Sequence, residues 1–304
     1  MKHMLSFYAD RMQTPYFSAP RMILPDSFKN MNLFPSQAPE LRATALHVLL
    51  QTDPQEKCRL ALSIPDDVRL DNAIQIHEPD GIPGRPLRPE LVPPGQVGRR
   101  AMHTVEDRAV LIHALAHIEM NAINLAADIL WRFAGLPEQF YRDWLRVMKE
   151  EAYHFQLLSD HLQQQGYRYG DFTAHNSLWE MAAKTRQDLI ARLALVPRTL
   201  EARGLDVTPG VAVKLAQAGD ARGAEILMII YRDEIGHVAI GNHWYLHFCT
   251  EQGLDPVALY PQLALQYKAP RLRGPFNLEA RRTAGFSDEE LQLMLQADQP
   301  QNQT

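Results

Sequence analysis

The chain writes one short phrase twice: Glu151-Ala-Tyr-His154 and Glu234-Ile-Gly-His237, each led by a lone glutamate, Glu119 and Glu201, at intervals of 32 and 33 residues. A Glu and a His three positions apart share a face only on a helix. The repeat therefore demands helices that bring four carboxylates and two imidazoles to one place. That is the ligand set of a dinuclear metal centre in a helix bundle.

The surrounding pattern supplies those helices. From Val105 to Phe133 the apolar spacing is helical, and Gly135-Leu-Pro137 ends the run. A second helix is expected from Glu138 to Gln165 and a third from Leu178 to Arg203, kinked at Pro197. Gly204 to Gly210 reads as a turn, Val211 to Ala218 as a short helical piece, and Ala221 to Glu251 as the fourth long helix. A tight turn makes the first two helices antiparallel neighbours. Glu119 stands 16 residues before Gly135, and Glu151 lies 16 after it. At about 1.5 Å per residue they meet at nearly one height. Glu201 sits near the end of its expected helix, so it meets Glu234 only if the following loop makes an excursion. Glu180 and Asp188, earlier in that helix, are alternatives to it.

Thirteen of the 21 prolines precede residue 95, so the first third is built differently. Residues 1–100 read as a proline-rich extension with one short helix, Glu40 to Gln51, strapped over a bundle at 101–255. Residues 256–304 read as an irregular C-terminal extension with a last helix near Asp288 to Leu295. The expected fold is all-α.

Glu119 carries much of the metal reading. It lies between Ile118 and Met120, in a stretch with no Lys or Arg from Arg108 to Arg132. A buried, unpaired carboxylate is costly, and a cation removes the problem. Around the ligands, Tyr153 and Tyr231 could be redox-active or merely packed. Asp233 could hold a ligating imidazole, and Arg198 and Arg232 could offset spare carboxylate charge. His113 with His117, and His243 with His247, lack a third ligand on their own faces. They read as hydrogen-bonded histidines.

The net charge of -5 argues against nucleic-acid binding, and Cys58 and Cys249 make neither a disulfide framework nor a Cys-x-x-Cys site. Ala109 to Phe133 is apolar enough for a membrane span, but polar groups on several of its faces assign it to a protein interior. The expectation is a soluble cytoplasmic protein with no membrane attachment, whose apolar helices could support a homodimer.

The text AHIEMNAINLAADI (116–129), FYRDWLRVMKEEAYHF (140–155), VPRTLEARGLDVTPG (196–210) and RDEIGHVAIGNHWY (232–245) resembles the bacterial family DUF455 of the ferritin-like superfamily, over roughly residues 40–250. The resemblance implies a ferritin-like four-helix bundle with Glu119, Glu151, His154, Glu201, Glu234 and His237 as ligands. A more distant likeness to tRNA-modifying hydroxylases of the MiaE type implies oxygen-dependent hydroxylation. Carboxylates and imidazoles without thiolates suit two iron ions, or manganese or a mixed pair. The function expected is an oxidase or oxygenase using O2, a small organic substrate and an external electron donor. A ferroxidase and a manganese catalase are the alternatives with the same ligand types.

Overall fold

The computed structural model describes residues 40–98 and 102–299; residues 1–39 of the expected extension lie outside the described residues. Among the described residues the structure is all-helical, with only two isolated β-bridges, Glu40 to Arg69 and Leu91 to Ala174.

Two short helices come first, α1 (Leu41–Leu50) and α2 (Pro54–Ser63). The sequence suggested one. Asp53 caps the second helix and Pro54 occupies its first turn, where a missing N–H costs nothing. The long rods follow: α3 (Val105–Arg132) and α4 (Glu138–Gln164). Thr104 and Asp107 start α3 by exchanging two 3.0 Å hydrogen bonds, a capping box. α1 packs on α3 and α2 on α4. The fully buried Arg42 of α1 donates to the carbonyls of Leu130 and Trp131, at 3.3 and 2.7 Å, and so closes the C-terminal end of α3.

The third rod departs from expectation. It is assembled from α5 (Ser177–Lys184), α6 (Leu189–Leu195), a π-helical segment (Val196–Glu201) and α7 (Ala202–Gln217). The sequence placed a turn at Gly204 to Gly210, yet α7 runs straight through it. Pro209 cannot bond back to the carbonyl of Leu205, and Asn277 Nδ2 donates to that carbonyl instead, at 3.2 Å. Arg281, with none of its surface exposed, grips the buried Asp206 through two bonds of 2.9 and 2.7 Å. The helix survives its glycines and proline because a distant part of the chain holds it.

That distant part is the segment expected to be irregular. It forms α9 (Pro256–Gln266), α10 (Leu278–Thr283) and α11 (Asp288–Asp298), after the long α8 (Ala221–Glu251). Short helices interrupted by Pro270 and Pro275 give no sustained periodicity, which is why the pattern missed two of them. α10 packs against both α7 and α8, and Ala280 and Ala284 join Leu205, Tyr231 and Val238 in one apolar cluster.

α3 packs on α4, α7 on α8, and α4 on α8. Asp128 of α3 and Arg192 of α6, both buried, form a 2.5 Å ion pair that ties the third rod to the first. α3 is long and apolar enough to cross a membrane, but 78% of its most apolar window is buried within this bundle.

Candidate metal centre

The turn between α7 and α8 at Gly219 repeats the logic of the first hairpin. Glu201 lies 18 residues before Gly219 and Glu234 lies 15 after it. The difference amounts to about 4.5 Å, less than one helical turn. No excursion is needed, because the helix that the sequence seemed to break is continuous. The π segment then aims the side chain. Ala202 N–H reaches back five residues to the Pro197 carbonyl, and Glu201 ends the widened turn. Such bulges recur at functional sites because they rotate one residue out of helical phase.

The side chains converge. Ligand-type atoms of Glu119, Glu151, His154 and Glu234 all lie within 4.8 Å of one another, and all four residues are buried. His154 Nδ1 is 3.4 Å from oxygens of both Glu119 and Glu151. His237 Nδ1 is 3.0 Å from Glu151 and 3.3 Å from Glu234. Both imidazoles therefore turn the same nitrogen inward. Glu151 lies between them.

The outward nitrogens are held by a crossed pair of carboxylates. His154 of α4 meets Asp233 of α8 through Nε2 at 3.1 Å, while His237 of α8 meets Glu150 of α4 through Nε2 at 2.7 Å. A carboxylate on the far nitrogen orients the ring and keeps a proton there, so that the inward nitrogen is the one a metal would take. Asp233 does what the sequence suggested. Glu150 was missed, although the signal was present: an acidic residue immediately precedes each Glu-x-x-His.

Glu201 is half-buried, with one carboxylate oxygen out of solvent, and feels the charges of this group, although it lies outside the four residues that converge most closely. Burial raises its pKa well above the usual carboxylate range, and the charges of Glu234 and Glu151 add to the effect. Glu119 and Glu234 are raised in the same way, by burial first and then by Glu151. Burial alone would raise Glu151 too, but the two imidazoles hold it below its ordinary value. Burial alone would depress both histidines, and the surrounding carboxylates lift them well above the ordinary imidazole value instead. One buried oxygen of Glu201 has no hydrogen-bond partner, and the buried Oε2 of Glu119 and Oε1 of Glu151 face imidazole nitrogens without a well-aligned hydrogen bond. Carboxylates crowded at such distances around two imidazoles, with Arg192 the one guanidinium whose charge reaches Glu201, could hold a metal ion of the kind that oxygen and imidazole ligands suit.

The alternatives to Glu201 are engaged elsewhere. Glu180 is exposed on α5, and Asp188 caps α6 through a 2.9 Å bond from Ala191 N–H. Two suggested neighbours are also displaced. Arg198 turns away from the carboxylates of the centre to Asn242 and Glu290, with its guanidinium over the rings of Tyr245, Tyr260 and Phe286. Tyr231 accepts a 3.0 Å bond from Asn277 and packs against α10. Neither position could be placed without the C-terminal helices. Tyr153 stays close, its ring 6.4 Å from that of His154. Arg232 is exposed and braces Asp233 at 2.7 Å; with His154 it lowers the Asp233 pKa to about 2 despite the opposing effect of burial.

The paired histidines outside the centre are accounted for. His113 accepts from Gly170 N–H at 2.9 Å, and His117 sits between the Tyr169 hydroxyl and the His175 carbonyl. His243 and His247 are exposed on α8.

Residues 50–292 match the family described as "Protein of unknown function (DUF455)", a span that contains every residue of the centre. A Haemophilus influenzae protein described as "Uncharacterized protein" is 44% identical over 265 residues, covering 83% of this chain and 92% of the relative. No solved structure matches.

Proposed function

The chain belongs to the DUF455 family, and on that premise we propose that it is a dinuclear non-haem iron oxidoreductase that uses O2 to oxidise or hydroxylate a small organic substrate. Manganese or a mixed manganese–iron pair would fit the same ligand types. The observation that carries this reading is the convergence of two Glu-x-x-His helices, with both imidazoles turning Nδ1 inward onto buried carboxylates.

In this reading Glu119, Glu151, His154, Glu201, Glu234 and His237 would hold the ions, with Glu151 and Glu234 shared between them. The bound metal would supply the electrons for O2 reduction, a chemistry the side chains lack. The protein's own residues do the rest. Asp233 and Glu150 keep protons on the outward imidazole nitrogens, so the inward ones can bind. Glu119 and Glu201 hold protons in the metal-free protein and give them up as cations enter. The apolar faces of α3 and α8 keep water away from reactive species. The substrate and an external electron donor are part of the proposal, as are a ferritin-like ancestry and a cytoplasmic location.

The test is metal analysis of protein purified without oxygen, followed by O2 addition under optical and Mössbauer spectroscopy. Two irons per chain that oxidise together on O2 addition are expected. Accumulation of many irons per chain inside a hollow assembly would instead indicate storage, and rapid peroxide disproportionation by the manganese form a catalase.

A further inference from the structure

A groove of about 600 Å³ opens between α9 and α11, apart from the carboxylate cluster. Tyr260, Leu265, Leu272, Phe286, Leu293 and Met294 line it, with the buried Arg198 among them. Its volume falls in the range of roughly 300–1,000 Å³ typical of small-molecule sites.

The groove is apolar where apolar surface is expensive. α9 is made almost wholly of apolar residues, yet Leu263 is the one described as buried. Leu265 is 82% exposed and Leu293 46% exposed.

The unpaired charges in its lining have one sign. Lys268 and Arg271 join the lining, both exposed and neither in an ion pair among the described residues. The lining's carboxylate, Glu290, is occupied: it takes Arg198 on one oxygen and the Ser287 N–H, at 2.9 Å, on the other.

Lys268 adds an independent sign. It ends α9 with φ +52, and among the described residues no other non-glycine has positive φ. The Ala269 N–H to Ala264 carbonyl bond, at 2.8 Å, marks the helix end at which glycine is the ordinary occupant. A lysine there is strained, and nothing in the helix end requires it. A cation beside an apolar groove gives the strain a use.

We propose that this groove binds a free long-chain carboxylate, its hydrocarbon along α9 and α11 and its head group between Lys268 and Arg271. With Arg198 and Glu290 paired to each other, Lys268 and Arg271 remain as the cations that select an anionic head. The test below distinguishes a free acid from a diacyl lipid. The proposal does not depend on the metal reading.

The experiment is calorimetric titration of the full chain, stripped of lipid, with octanoate, decanoate, dodecanoate and dodecanol below their aggregation thresholds. Carboxylate affinity should rise about fourfold per methylene, and dodecanol should bind at least tenfold more weakly than dodecanoate. Lys268→Gly should unfold at the same or a higher temperature than the parent while losing most of the preference for carboxylate over alcohol. Leu265→Asp should abolish binding of both. Metal content and binding should be independent, with equal titrations for metal-free and metal-loaded protein. Equal affinity for acid and alcohol, or no binding to the parent chain, would overturn the proposal. So would a dimer in sedimentation that Leu265→Asp dissociates, or attachment to phosphatidylglycerol vesicles without binding of the free acid.

Discussion

The two halves of the candidate metal centre use one plan on different materials. The first stands on α3 and α4, regular helices joined by a tight turn, with Glu119, Glu151 and His154 placed by helical rise alone. The second stands on α8 and on a rod that changes from α to π and back, with Pro197 in the π segment and Pro209 in α7. Its glutamate is in place because Asn277 and Arg281, some 70 to 80 residues downstream, hold α7 together. Local sequence can specify half a site. The other half is specified by tertiary support.

The sharpest challenge to this comparison is to remove the shared ligands. Glu151→Ala and Glu234→Ala should each lower metal affinity by more than about 100-fold, beyond the usual effect of outer partners, with loss of the coupled pair in metal analysis. If either variant retained two ions, the halves would not share a centre.

Arg281→Ala should act on the second half alone. It strands the buried Asp206 and should cost about 3–5 kcal/mol in denaturant unfolding. At temperatures where it stays folded, it should lose the ion near Glu201 before the ion near Glu119. Equal loss of both would mean that α7 is not independently braced.

Glu150→Gln and Asp233→Asn remove the crossed clamps. Each should weaken metal binding by about 10- to 100-fold at nearly unchanged ligand count, measured by competition with a chelating dye. Equal effects would establish that this outer layer is symmetric even though the rods are not.

Gly241→Ala is smaller and lies on one side. A Cβ there would come within 2.5 Å of Pro197 in the π segment. The clash should cost about 1–3 kcal/mol and shift spectra of the ion near His237, sparing the ion near His154.

A change of pH acts on both halves together. The raised carboxyls Glu119, Glu201 and Glu234 and the raised imidazoles stabilise the metal-free fold while protonated, and that contribution fades as pH rises through their folded-state values. Glu151 and Asp233 are lowered, so theirs is lost only toward acid. Metal must expel the held protons, so its affinity should rise by about tenfold per pH unit for each proton released. The gap in melting temperature between loaded and metal-free protein should therefore widen from pH 6 to pH 8.

Legibility followed the same division. The long helices α3, α4 and α8 were readable to within a residue or so from apolar period and the glycine and proline stops. The stretch Gly204-Leu-Asp-Val-Thr-Pro-Gly210 has the composition of a turn, and only contacts from α10 make it helix. Arg198 and Tyr231 are close to the ligands in sequence, but α9, α10 and α11 draw them elsewhere. Glu150 was readable in principle. It escaped because it looked like one more solvent-facing charge.

The crossed clamps have a mechanical consequence. Helices α4 and α8 each carry the inner pair of one side and the outer hand of the other, like a plug whose pins seat together or not at all. Sliding one helix past its neighbour by a single turn, about 5.4 Å, would unseat both imidazoles at once. The packing of these helices therefore has no gradual slippage available to it. On the proposed function, a chain that took up two ions would by that fact have passed inspection of its own assembly.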